Sequence, residues 1–245
     1  MRAVTVALLL LSQSAVLAAI LRRRLIRPFL FFFLYALVLV IRQARLSLLD
    51  PTTPAFLEFW ALTLVFVIPL QILAAGESSY RSLEQFRGLR MSVFAGAAAV
   101  AVVLAVWMQD LQSRHTRYGM ISQADQAVTT TLFLSGLAFT LGLSWIHPQR
   151  RRNALLHERL LVLHFGILAV SLFLLHRGQM WVGPVCTVAS AAGFFAWALL
   201  IRTEGEQLPP SDSNDPQQRN QLAAGIANLS RVWKGAAGTS QPETR

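Results

Sequence analysis

Apolar residues in this chain come in long, nearly unbroken blocks separated by short polar stretches. The blocks run over about 3–21, 29–49, 56–75, 91–109, 126–146, 158–176 and 180–201. Crossing a bilayer takes roughly 20 mostly apolar residues, so each block is read as one span. Block two is the marginal case. Its apolar run FLFFFLYALVLVI is too short alone, so the helix is expected to continue past Arg42 and Arg45, whose stems let their charges reach the headgroups. The turn DPTTP at 50–54 then closes it. Hydrocarbon offers the backbone no water, so the spans are helices rather than open strands. The pattern thus predicts an all-α, multi-pass transmembrane bundle of seven helices over 1–202.

Beyond Arg202 the pattern changes. TEGEQLPPSDSNDPQQ is polar and proline-rich, the composition of a disordered linker. QLAAGIANLSRVWKG then spaces Leu222, Ile226, Leu229 and Trp233 helically, with Arg231 and Lys234 beside them. This suits an interfacial helix at 217–234 lying on the membrane. A disordered tail at 203–245 that happens to carry apolar residues is the alternative.

Composition agrees with the pattern. Of 245 residues, 54% are hydrophobic and 14% charged, against about a quarter charged in soluble domains. The net charge is +10. In a soluble chain that would suggest nucleic acid. Here the arginines flank apolar blocks, so the expected partner is a bilayer with anionic headgroups and nucleic acid is not expected. The single cysteine, Cys186, excludes an internal disulfide and a cysteine-based zinc site.

With seven spans, one side receives Arg22, Arg23, Arg24, Arg27, Arg81, Arg87, Arg90, Arg150, Arg151, Arg152, Arg159 and Arg202. The other receives only Arg2, Arg42, Arg45, Arg114, Arg117 and Arg177. The richer side marks the cytoplasm, which puts the N-terminus outside and the C-terminus inside, in a bacterial cytoplasmic (inner) membrane. Ala18-Ala19 leaves a cleaved signal peptide open as an alternative for block one. The weak basic start and the triple arginine after the block favour an uncleaved span.

Ionisable groups in a membrane are functional suspects. Arg42, Arg45, Glu58 and Asp125 fall near the outer ends of blocks two, three and five, where they form a candidate polar pocket for an anion. The plain alternative is a structural ion pair, with Asp125 capping the start of block five. Pro69 removes a backbone donor inside block three and predicts a kink, with Gln71 available to the freed groups. Glu77 and Arg81 stand four apart, in the favourable order for a helix pair at the cytoplasmic end. Their Glu-x-x-x-Arg spacing resembles part of the motif of membrane CAAX-type proteases, but Gly76 stands where that family needs a second glutamate.

Of the histidines, His164 falls within a span and His157 reads as an interfacial or helix-start group. No second buried histidine faces it for haem ligation, and no ligand set converges for a metal. Neither a nucleophile elbow nor a phosphate loop occurs. No cofactor, metal or catalytic set is therefore expected. Small residues in block four (Ala95 to Ala99), block five (Ala138, Gly142) and block seven (Ala189, Gly193) predict close helix packing there. Thr129, Thr130 and Thr131 are expected to bond back to their own helix.

The runs FLEFWALTLVFVIPLQILAAGE, SLEQFRGLR and DQAVTTTLFLSGLAFTLGLSW resemble a family of uncharacterised seven-span integral membrane proteins common in acidobacterial genomes. The shared features are a third span ending in Glu77, the triplet Gly88-Leu89-Arg90, and a fifth span ending in Gly142-Leu143-Ser144-Trp145. The likeness covers about 25–200 and implies topology without an activity. The first functional reading is a non-enzymatic receptor-like or regulatory module that meets a protein partner through its tail or as a homo-oligomer. A small-solute transporter is the alternative, and an intramembrane enzyme comes last.

Overall fold

The structure, a computed structural model, describes residues 2–50, 52–83, 117–146, 151–179 and 181–207. It is all-helical over them: α1 (Arg2–Arg22), α2 (Leu30–Ser47), α3 (Pro54–Ser82), α4 (Arg117–Ile146), α5 (Arg152–His176) and α6 (Val182–Leu200). A single 3-10 turn, Thr203–Glu206, follows. All six helices are long and apolar enough to cross a membrane, which makes this a multi-pass membrane architecture. The block at 91–109 and the tail helix at 217–234 lie outside the described residues.

Consecutive helices pack side by side from α1 to α6, and α6 returns to α1, so the contacts close a ring; α3 also crosses to α5. Leu62, Val65, Phe66, Leu134, Leu141, Leu163, Val170, Val185 and Leu199 are exposed on the outside. An oily outer belt is stable only against lipid. The core forms inside the ring from Val16 and Ile20 of α1, Phe32 and Tyr35 of α2, Leu64 and Val67 of α3, Leu161 and Phe165 of α5, and Phe194 and Trp197 of α6.

Local chemistry sets the helix ends. Arg24 adopts φ 55° and Leu25 N–H bonds Ile20 O at 2.9 Å, a left-handed close to α1. Gly178 does the same after α5 at φ 80°, with Gln179 N–H on Leu174 O at 3.1 Å. Between α2 and α3, Asp50 Oδ1 accepts from Thr52 N–H at 3.0 Å and from its hydroxyl at 2.8 Å. Pro54 then opens α3, where a missing N–H costs nothing.

Three expectations change. α4 starts at Arg117 rather than near 126, so Asp125 lies two turns inside the helix and caps nothing. α5 starts at Arg152 and carries His157 and Glu158 into its body. Packing also uses different small residues. A Cβ on Gly142 or Gly193 would meet nothing within 4 Å, whereas Gly136 lies against Val162 and Gly166 against Phe133. These two glycines let α4 and α5 approach closely, and the main core rests on α1, α2, α3, α5 and α6 rather than on α4.

Candidate functional site

Polar groups are expensive in a hydrocarbon environment, so where they lie inside the ring indicates where chemistry is possible. They form a column running from one end of the bundle to the other. Trp60 and Arg81 mark its ends on α3, about 31 Å apart along a straight helix, close to the roughly 30 Å hydrocarbon thickness.

At the arginine-rich end, the end of α1, the start of α2, the end of α3, the start of α5 and the end of α6 converge. Arg81 forms an ion pair with Glu206, donates to Pro28 O at 3.0 Å, and lies 4.3 Å from the centre of the Phe29 ring. Arg151 donates to Glu206 O at 2.9 Å. Asn153 donates to Arg202 O at 2.6 Å and to Glu206 Oε1 at 2.8 Å, and accepts from Arg202 N–H at 3.2 Å. The turn Thr203–Glu206 is thereby held against α3 and α5. Arg23 donates to Ala198 O at 2.8 Å and to Ile201 O, so one member of the triple arginine caps α6 rather than facing lipid headgroups. Ser82 donates to Glu158 Oε2 at 2.5 Å.

Glu77 and Arg81 are brought to this end but form no direct ion pair; each serves other elements. Glu77 accepts from the backbone N–H groups of Phe31 at 3.3 Å and Phe32 at 3.1 Å. Phe29, the residue before α2, has no side-chain acceptor for these first amides. Glu77 therefore caps α2 from α3, where the helix dipole favours a negative charge.

The middle of the column is a box of rings. His157 is 0% exposed and neither ring nitrogen has a hydrogen-bond partner among the described residues. Phe29, Phe32 and Trp197 surround it at centroid distances of 4.9, 4.7 and 5.7 Å. This corrects the interfacial reading of His157. His164 lies two turns further along the same face of α5, about 10 Å away, against Phe194 and Trp197. Its Nε2 is 3.0 Å from the Tyr35 hydroxyl, which donates when the ring carries its proton on Nδ1. The two histidines share one helix rather than facing each other. No three His, Cys, Asp or Glu side chains gather as metal ligands among the described residues.

Gln71, 3% exposed, approaches the Tyr35 hydroxyl from α3. Beyond it, Arg42 of α2 and Asp125 of α4 lie in each other's electrostatic field without closing into an ion pair. Trp60 flanks Arg42, 5.8 Å from ring centre to guanidinium carbon. Arg42 Nε, Asp125 Oδ1, Gln71 Oε1 and Thr129 Oγ1 are buried without hydrogen-bond partners among the described residues. Thr129 thus does not bond back to its helix. Arg45 and Glu58 are exposed, and no hydrogen bond or ion pair joins them. The expected group of four is therefore reduced to Arg42 and Asp125, joined by Gln71 and Tyr35. Pro69 sits inside an unbroken α3 with its ring on the exposed side, away from Gln71.

The residues that reading the sequence missed are Tyr35, Trp197, Asn153 and Glu206. Tyr35 and Trp197 look like ordinary aromatic filling in an apolar block; beside His164, Tyr35 gains a hydrogen bond and Trp197 a ring contact. Comparison with models of known protein families, with curated proteins and with solved structures finds no match.

Proposed function

We propose that this protein is a carrier for a small polar solute: a seven-span protein of a bacterial inner membrane, N-terminus outside, whose solute enters at the Arg42–Asp125 end. One observation carries the reading: two half-buried opposite charges lie in each other's field without an ion pair, each with a buried polar atom that lacks a partner among the described residues, at one end of a column of polar groups extending to the other. A buried ion pair kept only for structure would be expected to close, because separated charges in a low dielectric are costly. A carrier needs such groups inside the bundle, where solute can replace water. The orientation rests on the arginine bias, and the arginine-rich end, closed by the Arg81–Glu206 contact, would be the cytoplasmic gate.

The test is uptake by proteoliposomes from a panel of radiolabelled amino acids, carboxylates and amines. We expect at least one solute to enter above protein-free vesicles, and its rate to fall at least tenfold in Arg42→Gln. Equal uptake by wild type, variant and empty vesicles would remove the carrier reading.

The docked turn Thr203–Glu206 favours a second reading, the regulatory module. The chain leading into the tail is held by Arg81, Arg151 and Asn153, so a shift in α3 or α5 would reach any partner of the tail. In that case solute would bind without being moved.

A further inference from the structure

The charges at the mouth of the column restrict what can bind there. Arg42 brings a cation from α2 and Asp125 an anion from α4, each within the other's field and both acting electrostatically on the Tyr35 hydroxyl. The pair sums to zero. A singly charged ligand would satisfy one of them and sit against the other as a like charge, at a depth where little water screens it. A ligand carrying both charges a short distance apart satisfies both. The neutral groups nearby suit the same ligand. Gln71 Oε1 and Thr129 Oγ1, on residues 3% and 0% exposed, are buried acceptors without partners among the described residues. Thr129 is one turn from Asp125 on the same face of α4, so the two can share the three donors of an ammonium group. On the other side, Arg42 Nε is an unused donor suited to a carboxylate. The Trp60 face beside Arg42 offers an apolar wall for a side chain.

We propose that Arg42, Asp125, Gln71 and Thr129 form a binding site for a compact zwitterion of the α-amino acid class, the carboxylate on Arg42 and the ammonium on Asp125. The proposal rests on the carrier reading for its biological sense, but binding and transport are measured separately. A chain that binds such a zwitterion without moving it overturns the carrier reading alone. A chain that moves other solutes and binds no zwitterion overturns this proposal alone.

The experiment is titration calorimetry on the purified full chain in detergent. The probes are glycine, L-alanine and L-leucine, with propionate and ethylammonium as the alanine analogues that each lack one charge. We expect saturable binding of at least one amino acid, at least tenfold tighter than either singly charged analogue. Arg42→Gln and Asp125→Asn should each weaken it more than tenfold while helical circular dichroism and the size-exclusion profile stay unchanged. If either variant fails to fold, Thr129→Val with Gln71→Leu removes the neutral ammonium acceptors, and a loss of at least fivefold is expected. Propionate or ethylammonium binding as tightly as alanine, or no binding by any amino acid, overturns the proposal.

Discussion

At the residue scale, two residues do work that their positions in the sequence hide. Glu77 reads as the acid of a surface pair, yet it supplies the missing cap of α2. Glu77→Ala should cost about 0.5–2 kcal/mol, the range for losing a cap, with Glu77→Gln recovering part of it through its remaining oxygen. Reversible unfolding in mixed micelles would measure both. Gly205 is the second. A Cβ there would press on Asn153, whose amide ties Arg202 and Glu206 to α5. Asn153 is buried and cannot swing aside without breaking those bonds. Gly205→Ala is therefore expected to destabilise by about 1–3 kcal/mol, the cost of stranding buried polar groups. A mere surface turn would tolerate the change without loss. Neither role was legible in the sequence, because each depends on a partner far along the chain.

At the element scale, most of the architecture was legible and the helix limits were not. Long apolar blocks fix where lipid-facing helices lie, because hydrocarbon imposes a length and forbids exposed backbone. They say less about where a helix starts once protein covers it. Arg117 to Asp125 and Arg152 to His157 look too polar for a span, yet they are helical because neighbouring helices bury part of each. Small residues were equally ambiguous. Ala138 and Gly142 form an inviting stripe but face outward, while isolated Gly136 and Gly166 make the α4–α5 contact. Gly166→Val should push Phe133 off its seat and cost about 1–3 kcal/mol, as overpacking does. Gly142→Val should be near neutral. The same unfolding assay separates the two.

At the scale of the whole molecule, the ring of helices leaves oil outside and a polar column within. The pairing of Arg42 with Asp125 was half visible: both were suspects by depth, but Arg45 and Glu58 were equally so. Only the helix rotation, set by packing, decided which two face inward. On the carrier reading, the column is a working path rather than buried scaffolding. A path admits water and small hydrophilic reagents; scaffolding does not. The direct measurement is reaction of a cysteine at position 71, Gln71→Cys in a Cys186→Ser background, with a charged, membrane-impermeant methanethiosulfonate in intact vesicles. Leu73→Cys, exposed on the lipid-facing surface of the same helix, serves as the control. Labelling at 71 at least tenfold faster than at 73 is the result expected. Protection of 71 equal to that of 73 would mean that the column is scaffolding closed to water.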